Sequence, residues 1–211
     1  MRPVTQSRQL DAADPNGICL DQTTGGAGNL LINGALATGG VATLDVQRRV
    51  EAESAADLSG VNFTITGTDE QGRIISETIA GPNAGVSSTV LDFLTITQIA
   101  VDGAVGTNVE VGTNGVGGSI PIPIDMYLTP TNIGLSVEVT GTVNVTVQHT
   151  FDDIFTSNAS AIHDWFDHPT LASETTNQDG NLAFPPRAVR LLTNSGSGTC
   201  VLNLVQAGAA A

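Results

Sequence analysis

The chain has 211 residues, enough for one large β domain or two small ones, and carries a formal net charge of −14 without a single lysine. Such an acidic surface repels phosphate, so we expect no nucleic-acid partner and no anionic membrane partner. Apolar residues make up 40% of the chain but include only six Phe, one Trp and one Tyr, and 24 residues are Gly. This composition predicts an all-β protein with an aliphatic core and many tight turns.

The amino-terminal residues lack the apolar stretch of about 7 to 15 residues that a secretory signal requires. No segment reaches the ~18 apolar residues of a membrane-spanning helix. We therefore expect a soluble protein made in the cytoplasm. Cys19 and Cys200 lie near opposite ends of the chain, and their spacing leaves open whether they pair. Cys200 lies in a strand pattern, which predicts a small buried side chain.

Residues 1–27 mix Arg, Gln, Asp, Pro and Gly without an apolar period, which predicts an extended N-terminal arm. The arm has too few apolar side chains to offset its ordering entropy, so we expect it to be mobile in the free protein. In an assembly, Ile18 and Leu20 would add to the sheet edge of a neighbouring subunit. Arg2 and Arg8 would be drawn to acidic groups on that neighbour.

A β-hairpin is predicted in the first half of the chain. Apolar and polar residues alternate from 61 to 66, and the turn sequence at 69–72 leads into a second apolar pattern at 73–79. Between 93 and 101 the apolar parity slips by one residue. The slip predicts a β-bulge near Thr97 and Gln98.

A glycine-rich stretch at 112–118, followed by two prolines, predicts a domain boundary. We expect an N-terminal β domain at 28–118 and a C-terminal β domain at 119–211. The latter contains two pairs of alternating strands, each with one apolar and one polar face. The paired segments are 135–139 with 143–147, and 189–191 with 200–204.

A long loop at 152–186 interrupts the C-terminal β domain, with a short helix predicted at about 157–166. Loops longer than about 12 to 15 residues are usually functional or contact sites. We interpret this loop as the partner-facing surface, with His163, Trp165 and His168 as candidate contact residues.

The sequence predicts no catalytic residue, no metal site and no cofactor. His163 and His168 are five residues apart, which does not place them on one helical face. The oxygen-rich stretch at 177–181 lacks the spacing of a calcium loop. The glycine-rich runs lack the Lys-Ser/Thr of a phosphate loop, and Ser195 lies in a hairpin turn rather than a nucleophile elbow. The aromatic residues fall mostly at core-parity positions, which argues against a glycosidase.

Three stretches of the chain resemble structural proteins of tailed bacteriophages. The first begins Phe63-Thr-Ile-Thr-Gly-Thr and ends Ala-Gly-Pro-Asn83, the second spans 93–101 and the third spans 188–208. The resemblance extends over 46–208. Its motifs are hairpin and turn sequences, so it transfers no functional residue.

The resemblance implies an antiparallel β-sandwich or jelly-roll-like subunit of the virion, most simply a capsid decoration or cement protein. Two alternatives stay open: a tail or head-to-tail subunit, such as a collar or fibre-attachment protein, and a carbohydrate-binding host-recognition module. The implied partners are copies of the chain itself, arranged as a homo-oligomer about a three-fold axis, and the major capsid or tail proteins.

Overall fold

The computed structural model describes residues 3–210, except for the side chains of Pro130 and residues 207–210. This part of the chain forms the strands β1 (Val4–Gln9), β2 (Asp14–Thr24), β3 (Gly28–Asn29), β4 (Ala37–Thr38), β5 (Val41–Arg48), β6 (Val50–Asp57), β7 (Asn62–Thr68), β8 (Ile74–Ala80), β9 (Asn83–Ser88), β10 (Phe93–Val101), β11 (Val105–Thr113), β12 (Gly117–Gly118), β13 (Ile122–Pro123), β14 (Leu128–Thr140), β15 (Val143–Thr150), β16 (Phe166–Asp167), β17 (Gln178–Leu182), β18 (Ala188–Gly196) and β19 (Thr199–Ala210).

The protein is all-β, as predicted. Residues 3–210 contain no helix, so the helix predicted at 157–166 is wrong. Accordingly, no helix of membrane-spanning length and hydropathy occurs in the described part of the chain. The chain divides into two compact units: a terminal unit of Met1–Asp11 with Val116–Ala211, and a middle unit of Ala12–Gly115.

The terminal unit is built from two antiparallel sheets. One has the strand order β1-β19-β14-β17, and the other has the order β12-β18-β15-β16 with β13 also paired to β18. Alternate residues of β14, β15, β18 and β19 from the two sheets share one buried aliphatic core. This shared core makes the unit sandwich-like, as the resemblance implies, and no Phe, Tyr or Trp belongs to it.

Two connections in the terminal unit cross from one sheet to the other. β14 and β15 are joined at Gly141, which has a φ of 81°, and β18 and β19 are joined through Gly196, which has a φ of 91°. A Cβ at Gly196 would lie 2.4 Å from the carbonyl oxygen of Thr142, so this close approach requires glycine. The members of each predicted strand pair therefore face the same core from opposite sheets. β14 pairs with β19, and β15 with β18.

The middle unit contains two further antiparallel sheets, of order β4-β5-β10-β7-β8, with β3 also on β10, and β2-β11-β6-β9. The predicted hairpin is confirmed as β7 and β8. The Asp69 carboxylate accepts hydrogen bonds from the backbone N–H groups of Gln71 and Arg73 and from the Arg73 guanidinium, which stabilises its turn. The predicted bulge is also confirmed, because the register of β10 against β7 shifts between Ile96 and Gln98.

The extended N-terminal arm is not confirmed, because residues 1–27 contain two paired strands. β1 is paired with β19 along its whole length, and β2 is paired with β11. The ladder uses backbone groups that every residue type except proline supplies in full, so a polar sequence can occupy an edge strand. Three apolar residues of this segment, Leu10, Ile18 and Cys19, are buried and contribute to the stability of the fold.

The pairing of β1 predicts that the N-terminus contributes to stability. Deleting residues 2–9 removes the ladder with β19 and uncovers part of the core, including the contact of Val4 with it. We expect the melting temperature to fall by at least about 5 °C, measured by circular dichroism. The exposed substitution Ser7→Ala in the same strand serves as the control. An unchanged melting temperature for the deletion would contradict a structural role for β1.

Candidate functional site

The contact residues predicted in the N-terminal segment differ in their exposure. Arg2 lies outside the described residues. The Arg8 side chain is buried, and its carbonyl oxygen accepts a hydrogen bond from the Cys200 thiol at 3.5 Å. Ile18 is fully buried, whereas Leu20 is 45% exposed. Of the three described residues, only Leu20 is therefore placed where a partner can reach it.

The loop that connects β15 to β18 is tied to the edge of β15. β16 pairs with Gln148 and His149, and the Val147 N–H donates to the carbonyl of Leu171 at 2.8 Å. Val145 and Glu174 exchange two backbone hydrogen bonds of 2.7 and 2.9 Å. Leu171 itself is buried in the core. The later half of the loop is therefore anchored to the sheet by its backbone.

The first part of the loop forms successive turns where a helix was predicted. The side-chain oxygens of Asp153, Thr156 and Asn158 each accept the backbone N–H two residues further on. Such local hydrogen bonds offer the backbone an alternative to the helical pattern. The turns keep this segment at the surface, where Phe155 is 74% exposed and Ile162 is 58% exposed.

Four rings at the base of this loop pack together and define the aromatic cluster: His149, Phe151, Phe166 and Phe184. The His149 ring centroid lies 5.7, 5.8 and 5.4 Å from those of Phe151, Phe166 and Phe184, respectively. Phe151 also contacts Phe166 and Phe184, at 6.2 and 5.9 Å. The three Phe side chains are 42–53% exposed. The cluster is thus a contiguous aromatic surface on a β scaffold.

His149 lies beneath the three Phe rings and is 7% exposed. Its Nδ1 atom is buried and has no hydrogen-bond partner among the described residues. Burial lowers the pKa of His149, the nearby His168 lowers it further, and Asp167 opposes both effects. The imidazole is therefore held neutral. A buried polar atom without a partner costs about 1 to 3 kcal/mol, so stability alone does not favour histidine here.

Three acidic residues define the acidic rim: Asp152 and Asp153, which adjoin Phe151 of the aromatic cluster in the chain, and Asp164, which is hydrogen-bonded to Asp152. Asp152 and Asp153 directly follow Phe151, and the Asp152 carboxylate accepts the Asp164 N–H at 2.7 Å. The rim also contains one exposed arginine, Arg187, whose Nη1 atom lies 3.3 Å from Asp153. Three acids against one arginine leave the surface around the cluster negatively charged.

The predicted contact residue Trp165 lies on the opposite face of β15 from His149. Its ring stacks on the Arg190 guanidinium, with the guanidinium carbon 4.1 Å from the ring centroid. Arg190 donates to the side chain of Gln148 at 2.9 Å, and Gln148 donates to Asp167 at 2.8 Å. Adjacent residues of a strand point to opposite faces, so Gln148 and His149 separate Trp165 from the aromatic cluster.

The two predicted histidines have different surroundings. The Nδ1 atom of His163 lies 3.9 Å from a carboxylate oxygen of Asp152, which places it at the acidic rim. His168 is 3% exposed, and its Nε2 atom lies 3.1 Å from the carbonyl oxygen of Asn181. His168 is therefore a buried residue of the loop, near His149 of the aromatic cluster, whereas His163 lies at the acidic rim.

Sequence reasoning missed the aromatic cluster because it placed most aromatic residues in the core. Of the eight, Phe63 and Phe93 are buried in the middle unit, and the others are partly or fully exposed. A usable signal was present. His149 and Phe151 continue the alternation of Val143, Val145 and Val147, but they lie where the strand leaves the aliphatic core.

The remaining chemistry of the described residues is limited. No group of three or more His, Cys, Asp or Glu side chains among residues 3–210 is arranged to hold a metal ion. Cys19 and Cys200 are both free and buried. Burial raises the pKa of the Cys19 thiol to about 12 and also raises that of Cys200, so both stay protonated at neutral pH.

The buried thiols predict slow chemical labelling of the native protein. We expect neither cysteine to react with iodoacetamide under native conditions, because both are covered and protonated, and two equivalents to react in urea. Mass spectrometry of the labelled protein measures this. Rapid modification of Cys200 in the native state would show that β1 opens readily from β19.

Comparisons with known proteins supply no family for this chain. No protein-family model matches it, and no curated protein matches it. One solved structure that aligns with it is the stem and receptor-binding domain of the spike protein of bacteriophage PM2. The alignment covers 98% of this chain and 97% of that chain, with 8% sequence identity and a TM-score of 0.19. This likeness is too weak to carry an argument about fold or function.

The neutral, buried state of His149 predicts a pH dependence of stability. Its pKa is depressed in the folded protein, so its neutral form contributes fully above the ordinary histidine pKa of about 6.5. Below that pH the unfolded chain takes up a proton that folded His149 resists, and the free energy of unfolding falls. Urea unfolding at about pH 7.5 and about pH 5.5 measures the loss.

Two variants test whether His149 is responsible for the loss of stability on acidification. His149→Gln should reduce the loss of stability between these pH values, whereas His163→Gln, at a less buried position in the loop that follows β15, should retain it. If His149→Gln and the unmodified chain lose the same stability on acidification, His149 is not the responsible group.

Proposed function

We propose that this chain is a non-enzymatic structural subunit of a tailed-bacteriophage virion, and that it decorates the capsid by docking through the aromatic cluster. One observation carries the proposal: Phe151, Phe166 and Phe184 form a contiguous, half-exposed surface that is anchored to a β-sheet. The resemblance of the turn and hairpin sequences to tailed-phage structural proteins supports the virion as the location of the protein.

The aromatic cluster has the character of a protein-binding surface. Contiguous exposed apolar patches in soluble proteins commonly mark interaction sites, and large aromatic side chains dominate the energy of protein interfaces. Here the rings are carried by strands or by loop segments hydrogen-bonded to strands, so docking needs little ordering of the chain. A subunit of this kind contributes binding surface rather than chemistry.

The proposal extends to the assembly of copies. The chain is made in the host cytoplasm and resides in the mature virion, where several copies associate as a homo-oligomer. A small subunit with one modest docking surface gains avidity when several copies bind together. A three-fold arrangement is what the phage resemblance implies.

A second candidate function is a carbohydrate-binding, host-recognition module. Exposed rings beside the carboxylates of Asp152 and Asp153 favour it, because sugars stack on aromatic faces and hydrogen-bond to acids. A glycan array with the purified protein tests this candidate. Saturable binding that Phe184→Ser abolishes would support a glycan site in place of a protein-docking surface.

The decoration role predicts where the protein lies and which residues attach it. In virions of the phage that encodes the chain, we expect many copies on the capsid surface in a cryo-EM map. A small number of copies at the neck or tail would instead support the tail or head-to-tail alternative. Absence of the protein from purified virions would contradict both.

A matched pair of variants tests attachment. The triple variant Phe151→Ser, Phe166→Ser, Phe184→Ser should reduce incorporation into particles about tenfold or more, because it removes the apolar docking contacts. The control, Leu31→Ser, Ile74→Ser, Tyr127→Ser, removes three other side chains that are 64–83% exposed and should incorporate normally. Both proteins are first checked for unchanged melting temperature. Equal incorporation of the two would exclude the aromatic cluster as the attachment surface.

A further inference from the structure

We infer that the partner of the aromatic cluster is a protein surface that presents arginine side chains around an apolar patch, and is not a second copy of this chain. The inference rests on the proposed function and adds the chemistry of the partner. It depends on three features: the exposed ring faces, the acidic rim beside them, and the distribution of arginine in this protein.

The acidic rim makes the surface at the aromatic cluster negatively charged. Asp152 and Asp153 have side chains 43% and 59% exposed, and Asp164 is exposed beside them. Arg187 is the exposed arginine that adjoins them, and it is already within 3.3 Å of Asp153. A docking partner must therefore bring positive charge to the edge of the cluster, or it leaves desolvated carboxylates without counter-charges.

The ring faces favour the same kind of group. A guanidinium over an aromatic face gains electrostatic attraction, and it can pair with a carboxylate at the same time. Among the described residues, the Arg190 guanidinium stacks on the Trp165 ring in this way while it donates a hydrogen bond to the Gln148 side chain. The half-exposed Phe rings and the solvent-accessible carboxylates of Asp152 and Asp153 offer both interactions to an incoming arginine, whereas an aliphatic partner would use only the rings.

A second copy of the chain does not fit this surface. Its net charge is −14, and among its described arginines only Arg73 and Arg187 are exposed. Two aromatic clusters that faced each other would bring two acidic rims together, and like charges across an interface are costly. Homo-oligomers of this protein therefore use another surface, and the aromatic cluster is left for a different, basic protein.

The test uses the full chain and a defined probe. The probe is the peptide acetyl-Gly-Arg-Gly-Arg-Gly-amide, and its matched neutral control carries citrulline in place of arginine. Binding is followed by NMR through the ring signals of Phe151, Phe166 and Phe184. We expect the arginine peptide to shift these signals in a saturable way that weakens with salt, and the citrulline peptide to leave them unchanged. Equal shifts from both peptides would overturn the inference.

Two variants separate the two interactions. The substitution Asp152→Asn, Asp153→Asn, Asp164→Asn keeps the side-chain oxygen that accepts the Asp164 N–H but removes three charges, and should weaken the arginine peptide about fivefold or more. Its matched control is Asp21→Asn, Glu138→Gln, Asp179→Asn, which removes three exposed charges elsewhere and should change the affinity by less than about twofold. Equal weakening by both variants would mean that only the overall charge matters, and would overturn the inference.

The second variant, Phe151→Leu, Phe166→Leu, Phe184→Leu, keeps an apolar surface and removes the aromatic faces. We expect it to weaken the arginine peptide, and unchanged affinity would overturn the role of the rings. Failure of the proposed function looks different. If the serine variant of the cluster enters virions normally while the arginine peptide is still selected, the function fails and the chemistry of the surface stands. If the serine variant is excluded from virions but the unmodified chain binds the arginine and citrulline peptides equally, the proposed function stands and the inferred chemistry of the partner fails.

Discussion

The alternation of side chains along β15 is the constraint on which the rest of the terminal unit depends. Val143, Val145 and Val147 enter the aliphatic core, and the same strand geometry then places His149 on the same face. The core ends before the strand does. Beyond that point His149 keeps the core-facing direction and is buried under the Phe rings, whereas Phe151, just past the end of the strand, packs on the neighbouring rings and stays half exposed.

The long loop positions the three Phe rings of the aromatic cluster and leaves them half exposed. Its backbone bonds to Val145 and Val147 fix the position of Phe166 opposite His149, while the Trp165 and Arg190 stack holds the other face of the same strand. Polar contacts on one face of β15 and aromatic contacts on its other face therefore hold the end of this strand in one position. An exposed surface that is rigid before it binds loses little entropy on binding.

The sequence predicted the structural features that depend on local patterns of residues. It missed the features that depend on which strands pair with each other. The β7 and β8 hairpin and the bulge in β10 follow from apolar parity and turn residues within about twenty neighbouring positions, and both are present. Parity also identified the aliphatic residues of β14 and β15 that enter the core, but Thr146 and Gln148, on the face of β15 that parity predicts to be exposed, are buried too. It carries no information on whether two consecutive strands pair or lie in opposite sheets, since both arrangements bury the same side chains. β1 was missed for a related reason, because its ladder with β19 depends on backbone groups that composition does not reveal.

The placement of arginine makes the surface of this protein more acidic than its composition suggests. Arg8, Arg48 and Arg190 are buried, and Arg48 is paired with Asp45, so their charges contribute to internal contacts. The acids are distributed in the opposite way, since most are exposed or half exposed. The net charge of −14 gives the protein a negative long-range field, which disfavours random association of copies and accelerates encounter with a basic surface. The field is general, whereas the exposed rings are local, so under the proposed function steering and docking would be supplied by different residues of the same small protein.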